Sequence, residues 1–178
     1  MSREIHTIPP VFDSHSKILI LGSFPSVKSR ESQFFYGHPQ NRFWRVLAAV
    51  TGQPLPSDIA EKKEFLLRNH IALWDVIESC EITGSSDSSI RNAVPNNLNR
   101  ILCAAPVCQI FTNGRTAGRL YDKYCLNDTG RPASAFLPQA LPMPPGLSTA
   151  LSQPGMLSEL LCRMRKRKRI FFHLRNTL

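Results

Sequence analysis

Ile18, Leu19, Ile20 and Leu21 form an unbroken apolar run, the pattern of a strand covered on both faces, and Gly22-Ser23-Phe24-Pro25-Ser26 stops it abruptly. Downstream, Phe43, Val46, Leu47 and Val50 recur at helical spacing behind Pro39, and Thr51-Gly52-Gln53-Pro54 ends that helix. Ser57 and Asp58 offer caps for a second helix that runs through residue 69, and the apolar stretch 70–76 reads as a strand. A polar, Ser-rich loop over 81–89 and a short helix over 96–102 lead into another buried strand at 106–112. Asn113-Gly114 turns into a helix over 115–124, and 133–137 predicts a further strand. The order βααβαβαβ predicts a three-layer α/β/α fold with a mostly parallel central sheet of about four strands. Ser23, Asp75 and Asn113 then fall at strand ends along one rim, where open α/β sheets bind ligands.

Composition narrows the class. With 178 residues and 42% hydrophobic content the chain can bury one good core, which predicts a single α/β domain over 1–137. Residues 138–178, proline-rich and then basic, are expected to pack poorly. The five cysteines are odd in number and contain no CxxC pair, which argues against a zinc knuckle and against a disulfide framework, so no metal is expected and a reducing, cytoplasmic setting fits. The start MSREIHTIPP lacks an apolar signal core, and no run reaches the roughly 20 apolar residues of a membrane span. The net charge of +9 is uneven: residues 159–178 hold seven Lys/Arg against one acid, leaving the rest of the chain at +3. Arg163, Arg165, Lys166, Arg167, Lys168 and Arg169 suit phosphate contacts, though a solvated chain end reads the same way.

The rim carries the candidate chemistry. The loop Phe34-Phe35-Tyr36-Gly37-His38-Pro39-Gln40-Asn41 must lie over the first strand's turn, which sets aromatic rings beside amides and a carboxylate. That mixture suits a flat, hydrogen-bonding ligand such as a nucleobase, because stacking on aromatic faces is worth about 1–3 kcal/mol per base and an amide can read a Watson–Crick edge. Core packing explains Phe43 equally well, whereas a phenol at Tyr36 is not demanded by burial. The turn is neither a P-loop nor a dinucleotide fingerprint, and the chain has no GxSxG elbow.

The runs GSFPS and FFYGHPQNRFW, followed by LWDVIESCEITGSSDSSI and IFTNGRTAGRLY, resemble the uracil-DNA glycosylase superfamily, and within it the hypoxanthine (deoxyinosine) DNA glycosylase branch, over residues 10–137. In that superfamily a Gly-x-x-Pro turn follows the first strand, and many members place a catalytic Asp or Asn inside it. Here Phe24 occupies that slot, and the resemblance transfers catalysis to the Asn of the HPxNxFW motif, Asn41. On the rim, Gly22, Ser23, Phe24, Pro25, Tyr36, Phe43 and Asp75 are the candidates to bind the base, and Ser26, His38, Asn113 and Gly114 the candidates to meet the DNA. The implied enzyme is a monomer that needs no cofactor. Each residue also has a plainer reading: Asn41 as a helix N-cap, Asp75 as a turn cap, Ser23 and Ser26 as turn formers, His38 as a solvated loop residue.

The implied chemistry is coherent. Breaking an N-glycosidic bond builds positive charge on the sugar and negative charge on the departing base, so an extruded base, donors to the leaving anion and one oriented water suffice. An uncharged Asn orients water but is a poor general base, so the enzyme forgoes assistance worth about 10²–10⁴-fold. Uracil and hypoxanthine both present a carbonyl beside an N–H, which leaves the preferred base open.

The pattern departs from the family after Phe136. An LPSTSPAN-like pocket-mouth motif and its helix are expected there, but the chain reads LPQALPMPPGLSTALSQPGML, with prolines at 138, 142, 144, 145 and 154. A reading-frame shift near 135–137 accounts for this and predicts weakened activity. The alternative from another class is a non-catalytic nucleic-acid binder whose basic end supplies salt-dependent affinity.

Overall fold

The computed structural model describes residues 2–136. In chain order the strands are β1 (Ser2–Ile5), β2 (Ile18–Gly22), β3 (Ile71–Asp75), β4 (Ile77–Ile82), β5 (Arg91–Pro95), β6 (Gln109–Thr112) and β7 (Ser134–Ala135). The helices are α1 (Val27–Ser32), α2 (Phe43–Thr51), α3 (Ile59–Arg68), α4 (Asn99–Leu102), α5 (Arg115–Tyr124) and α6 (Leu126–Thr129).

β2, β3, β6 and β7 form the expected four-stranded sheet in the order β3-β2-β6-β7, and every pairing in it is parallel. All residues of β2 and β3 are buried, as continuous apolar runs require when helices cover both sheet faces. Leu47 of α2 and Leu66 of α3 are fully buried, and each such side chain contributes about 1.5–3 kcal/mol relative to exposure. The helix boundaries follow local chemistry. Asp58 caps α3 by accepting from the Glu61 amide at 2.8 Å, and α2 stops at Gly52, whose φ of 66° is a left-handed conformation that glycine adopts without strain.

A second sheet was not anticipated from the pattern. β1, β4 and β5 form an antiparallel sheet in the order β1-β4-β5. β4 starts just past Val76, after β3 ends at Asp75, so one extended stretch serves two sheets. β5 lies at an edge and is largely exposed, which explains its weak apolar signal. Residues 27–32, to which the sequence pattern assigns no element, form α1, nucleated when Ser26 Oγ accepts from the Ser29 amide. The segment 138–178 and its reading-frame interpretation lie outside the described residues.

Candidate active site

Parallel pairing sets Gly22 opposite Asp75 and Leu21 opposite Trp74 and Thr112, so the ends of β2, β3 and β6 lie side by side. Backbone bonds continue past the strands: the Val76 amide donates to the Gly22 carbonyl at 2.9 Å, and the Asn113 amide to the Leu21 carbonyl at 2.8 Å. The rim that the alternation of elements predicts is therefore a built feature, with Gly22, Ser23, Asp75 and Asn113 brought together.

Gly22 is small for a steric reason. A Cβ there would collide with Asp75 Oδ1 and would stand 3.1 Å from the Tyr36 hydroxyl, so a carboxylate and a phenol converge on a bare α-carbon. Asp75 is 4% exposed, and its Oδ2 is bound by His6 Nε2 at 2.9 Å. The imidazole is oriented in turn by the Ile8 amide, which donates to Nδ1 at 3.2 Å, and by edge contacts to Phe24 and Trp74. The Asp75 carbonyl accepts from Asn96 Nδ2 at 3.0 Å.

Tyr36 occupies a left-handed backbone conformation, φ 52°, and its ring stacks on Phe43 with centroids 4.0 Å apart. Its hydroxyl is buried with no hydrogen-bond partner. The Asn113 side chain is near enough to favour the ionised phenol but stands outside hydrogen-bond geometry. Burial, and then the charge of Asp75, outweigh that influence and hold the Tyr36 pKa far above the usual phenol range. Tyr36 thus keeps its proton and has an O–H to donate.

Ser23 Oγ donates to Asp87 Oδ1 at 2.7 Å. Burial raises the Asp87 pKa, the Ser23 bond opposes the rise, and the Asp75 charge adds to it. Phe24 is buried with the Arg30 guanidinium 5.8 Å from its ring centroid, and the Pro25 carbonyl accepts from Arg30 Nη1 at 2.8 Å. Pro25 therefore holds α1 through its carbonyl. Ser26 is the α1 cap.

The remaining sequence candidates lie at the surface. Asn41 is exposed, and its Oδ1 accepts from the Phe43 amide at 2.9 Å, a local turn bond at the entrance of α2, whose N-cap position is held by Arg42 instead. Its link to the strand-end cluster runs through Phe43, the ring on which Tyr36 rests. His38 is exposed and its Nδ1 accepts from the Gln40 amide, while Gly114, with φ 103°, opens α5 beside Asn113. Two members of the cluster escaped the sequence reading. His6 sits just past an unrecognised strand, 69 residues from its partner, and Asp87 lies among serines in a loop that reads as solvated. Among the described residues no group of His, Cys, Asp or Glu is arranged to hold a metal ion, and no helix is long and apolar enough to cross a membrane.

An α/β fold with a parallel sheet whose strand ends gather a buried carboxylate, an unpartnered phenol, a glycine-proline turn and stacked aromatic rings is the arrangement this chain presents. The chain belongs to the uracil DNA glycosylase superfamily, whose family model matches residues 9–166. It is similar to a hypoxanthine DNA glycosylase of Methanosarcina barkeri, 38% identical over 112 residues that make up 62% of this chain and 71% of that one. A hypoxanthine DNA glycosylase of Methanosarcina acetivorans is 39% identical over the same shares of each chain. The fold resembles the solution structure of a candidate uracil DNA glycosylase from M. acetivorans, with a TM-score of 0.62, 30% identity, and coverage of 82% of this chain and 92% of that one.

Proposed function

We propose that this chain extrudes a deaminated nucleotide from duplex DNA and hydrolyses its N-glycosidic bond, with hypoxanthine from deoxyinosine as the base released and uracil as a weaker substrate. The observation that carries the reading is the convergence of Asp75 Oδ1 and the unpartnered Tyr36 hydroxyl on the α-carbon of Gly22. A buried hydroxyl without a partner forgoes about 1–3 kcal/mol unless a ligand supplies one, and hypoxanthine carries an acceptor carbonyl beside an N–H. Tyr36 and Phe43 present stacked rings beside that edge.

The chemical steps need no group beyond this chain and water. As the C–N bond lengthens, negative charge collects on the base, where Tyr36 and the amides of the Gly22–Phe24 turn are the candidate donors. Positive charge collects on the sugar, and the water that attacks its anomeric carbon is assigned to Asn41. A carboxamide oxygen has two lone pairs, so the bond to the Phe43 amide leaves one for that water and also fixes the group's direction. Asn113, Gly114, Ser26 and His38 are assigned to the DNA backbone, which suits amides and small polar side chains at a loop rim. The protein acts as a monomer.

The test is release of base from a duplex with one deoxyinosine, read as strand scission after alkaline treatment of the abasic product. Asn41→Ala should lose base release by about 10²-fold or more while duplex affinity changes little. Duplex binding without base release by the wild-type chain would favour a non-catalytic binder and sink the proposal.

A further inference from the structure

We infer that His6 is a positioning residue: it grips Oδ2 of Asp75 through Nε2–H and so leaves Oδ1 as a fixed acceptor beside the Tyr36 hydroxyl, a pair complementary to the lactam edge of a deaminated base. This rests on the glycosylase reading above and assigns its selectivity to a residue outside every sequence motif.

The geometry fixes the imidazole's hydrogen bonding. The Ile8 amide points at Nδ1, so that nitrogen must accept, and the ring's proton is on Nε2. Nε2–H faces Asp75 Oδ2 at 2.9 Å. The His6 side chain is 1% exposed and sits among Phe24, Phe35 and Trp74, with ring centroids 6.0–6.3 Å away, so it has little room to turn. The His6 amide donates to the Glu78 carbonyl at 2.7 Å, which ties the residue to the strand that follows Asp75. Asp75 is thereby held at one oxygen, and its other oxygen lies against Gly22.

The fixed pair reads one proton. Deamination of adenine turns the ring nitrogen N1 from an acceptor into an N–H donor and turns the amino group beside it into a carbonyl. Asp75 Oδ1 accepts from that N–H, and Tyr36 donates to that carbonyl. Adenine offers a lone pair to the carboxylate, so the unmodified base is rejected at Asp75 by repulsion as well as by the missing N–H bond, whereas the Tyr36 hydroxyl, whose oxygen can also accept, adds little discrimination. The two residues should differ kinetically. The Asp75 contact orients the base in ground and transition states alike, whereas the Tyr36 bond strengthens as charge builds on the leaving base.

Single-turnover base release from the deoxyinosine duplex, over a range of concentrations of the full chain, tests the inference. His6→Phe keeps an aromatic ring among its neighbours and removes the N–H. We expect the half-saturating concentration to rise by about 10-fold with the maximal rate within about 3-fold of wild type, because a contact common to both states is lost. His6→Gln, whose terminal N–H can replace Nε2–H, should recover most of the affinity. Tyr36→Phe should lower the maximal rate by about 10–100-fold. A His6→Phe enzyme equal to wild type overturns the inference, as does a loss that His6→Gln does not recover. Wild-type protein that releases no base defeats the proposed function instead, and His6 is then judged on ¹⁵N imidazole spectra: a proton on Nε2 alone upholds its positioning role, and a proton on Nδ1 overturns it.

Discussion

Gly22→Ala separates stability from site geometry most sharply. In an ordinary strand, alanine gains about 0.5–1 kcal/mol over glycine by limiting the unfolded chain. Here the added methyl collides with Asp75 Oδ1 and stands 3.3 Å from Asp75 Cγ, so the carboxylate has to swing away. That swing breaks the bond to His6, and a buried hydrogen bond to a charged group contributes about 1.5–3 kcal/mol. Overpacking of the rim adds about 1–3 kcal/mol of strain. The net expectation is a destabilisation of about 2–4 kcal/mol, which in a chain of this size lowers Tm by roughly 4–16 °C. Urea unfolding with a fixed m value gives the stability change, and base release from the deoxyinosine duplex should fall by about 10²-fold or more as the acceptor is displaced. Gly84→Ala is the control: φ is +60° with open space around it, so about 1 kcal/mol of backbone strain is expected and excision should not change. A Gly22→Ala protein as stable and as active as wild type would refute the steric argument, and with it the placement of Asp75 against the Gly22 backbone.

Further expectations concern separate parts of the chain. Asp58→Ala removes the α3 cap and should cost about 0.5–2 kcal/mol in urea titration with base release intact, since α3 lies outside the cluster. Asp87 has a folded pKa above its ordinary value, so its ionisation disfavours the folded state, and that penalty grows as pH rises through the folded pKa. Asp87→Asn should therefore gain stability relative to wild type near pH 7, and the gain should vanish below the ordinary carboxyl range; equal effects at both pH values would exclude this origin. The proline-rich segment after Phe136 stands where relatives are expected to carry a pocket-mouth motif. Base release should accordingly be slower than that of the M. barkeri relative under matched conditions, and equal rates would show that the motif is dispensable.

The parts of the fold legible in advance are those whose signal is local. Ile18–Leu21 and the run ending at Asp75 are apolar at every position because both of their faces are covered, and no alternative packing of such a segment leaves them in water. Asp58 and Gly52 mark helix ends through bonds and backbone angles that involve only near neighbours. The antiparallel sheet carried no comparable mark. Ser2–Ile5 is short and polar, and it becomes a strand because β4 offers it a partner about 75 residues away.

The site divides along the same line. Composition and order of elements determined that Gly22, Asp75 and Asn113 would share a rim and that a loop rich in aromatic residues would border it. Only the folded chain decided which oxygen of Asp75 is held, that His6 holds it, that Ser23 is spent on Asp87, and that the Tyr36 hydroxyl is left without a partner. The physical reason is range. Apolar periodicity and caps are written within a few residues, whereas a buried polar group is satisfied by whatever the packing of distant segments brings within 3 Å, and nothing along the chain encodes that distance.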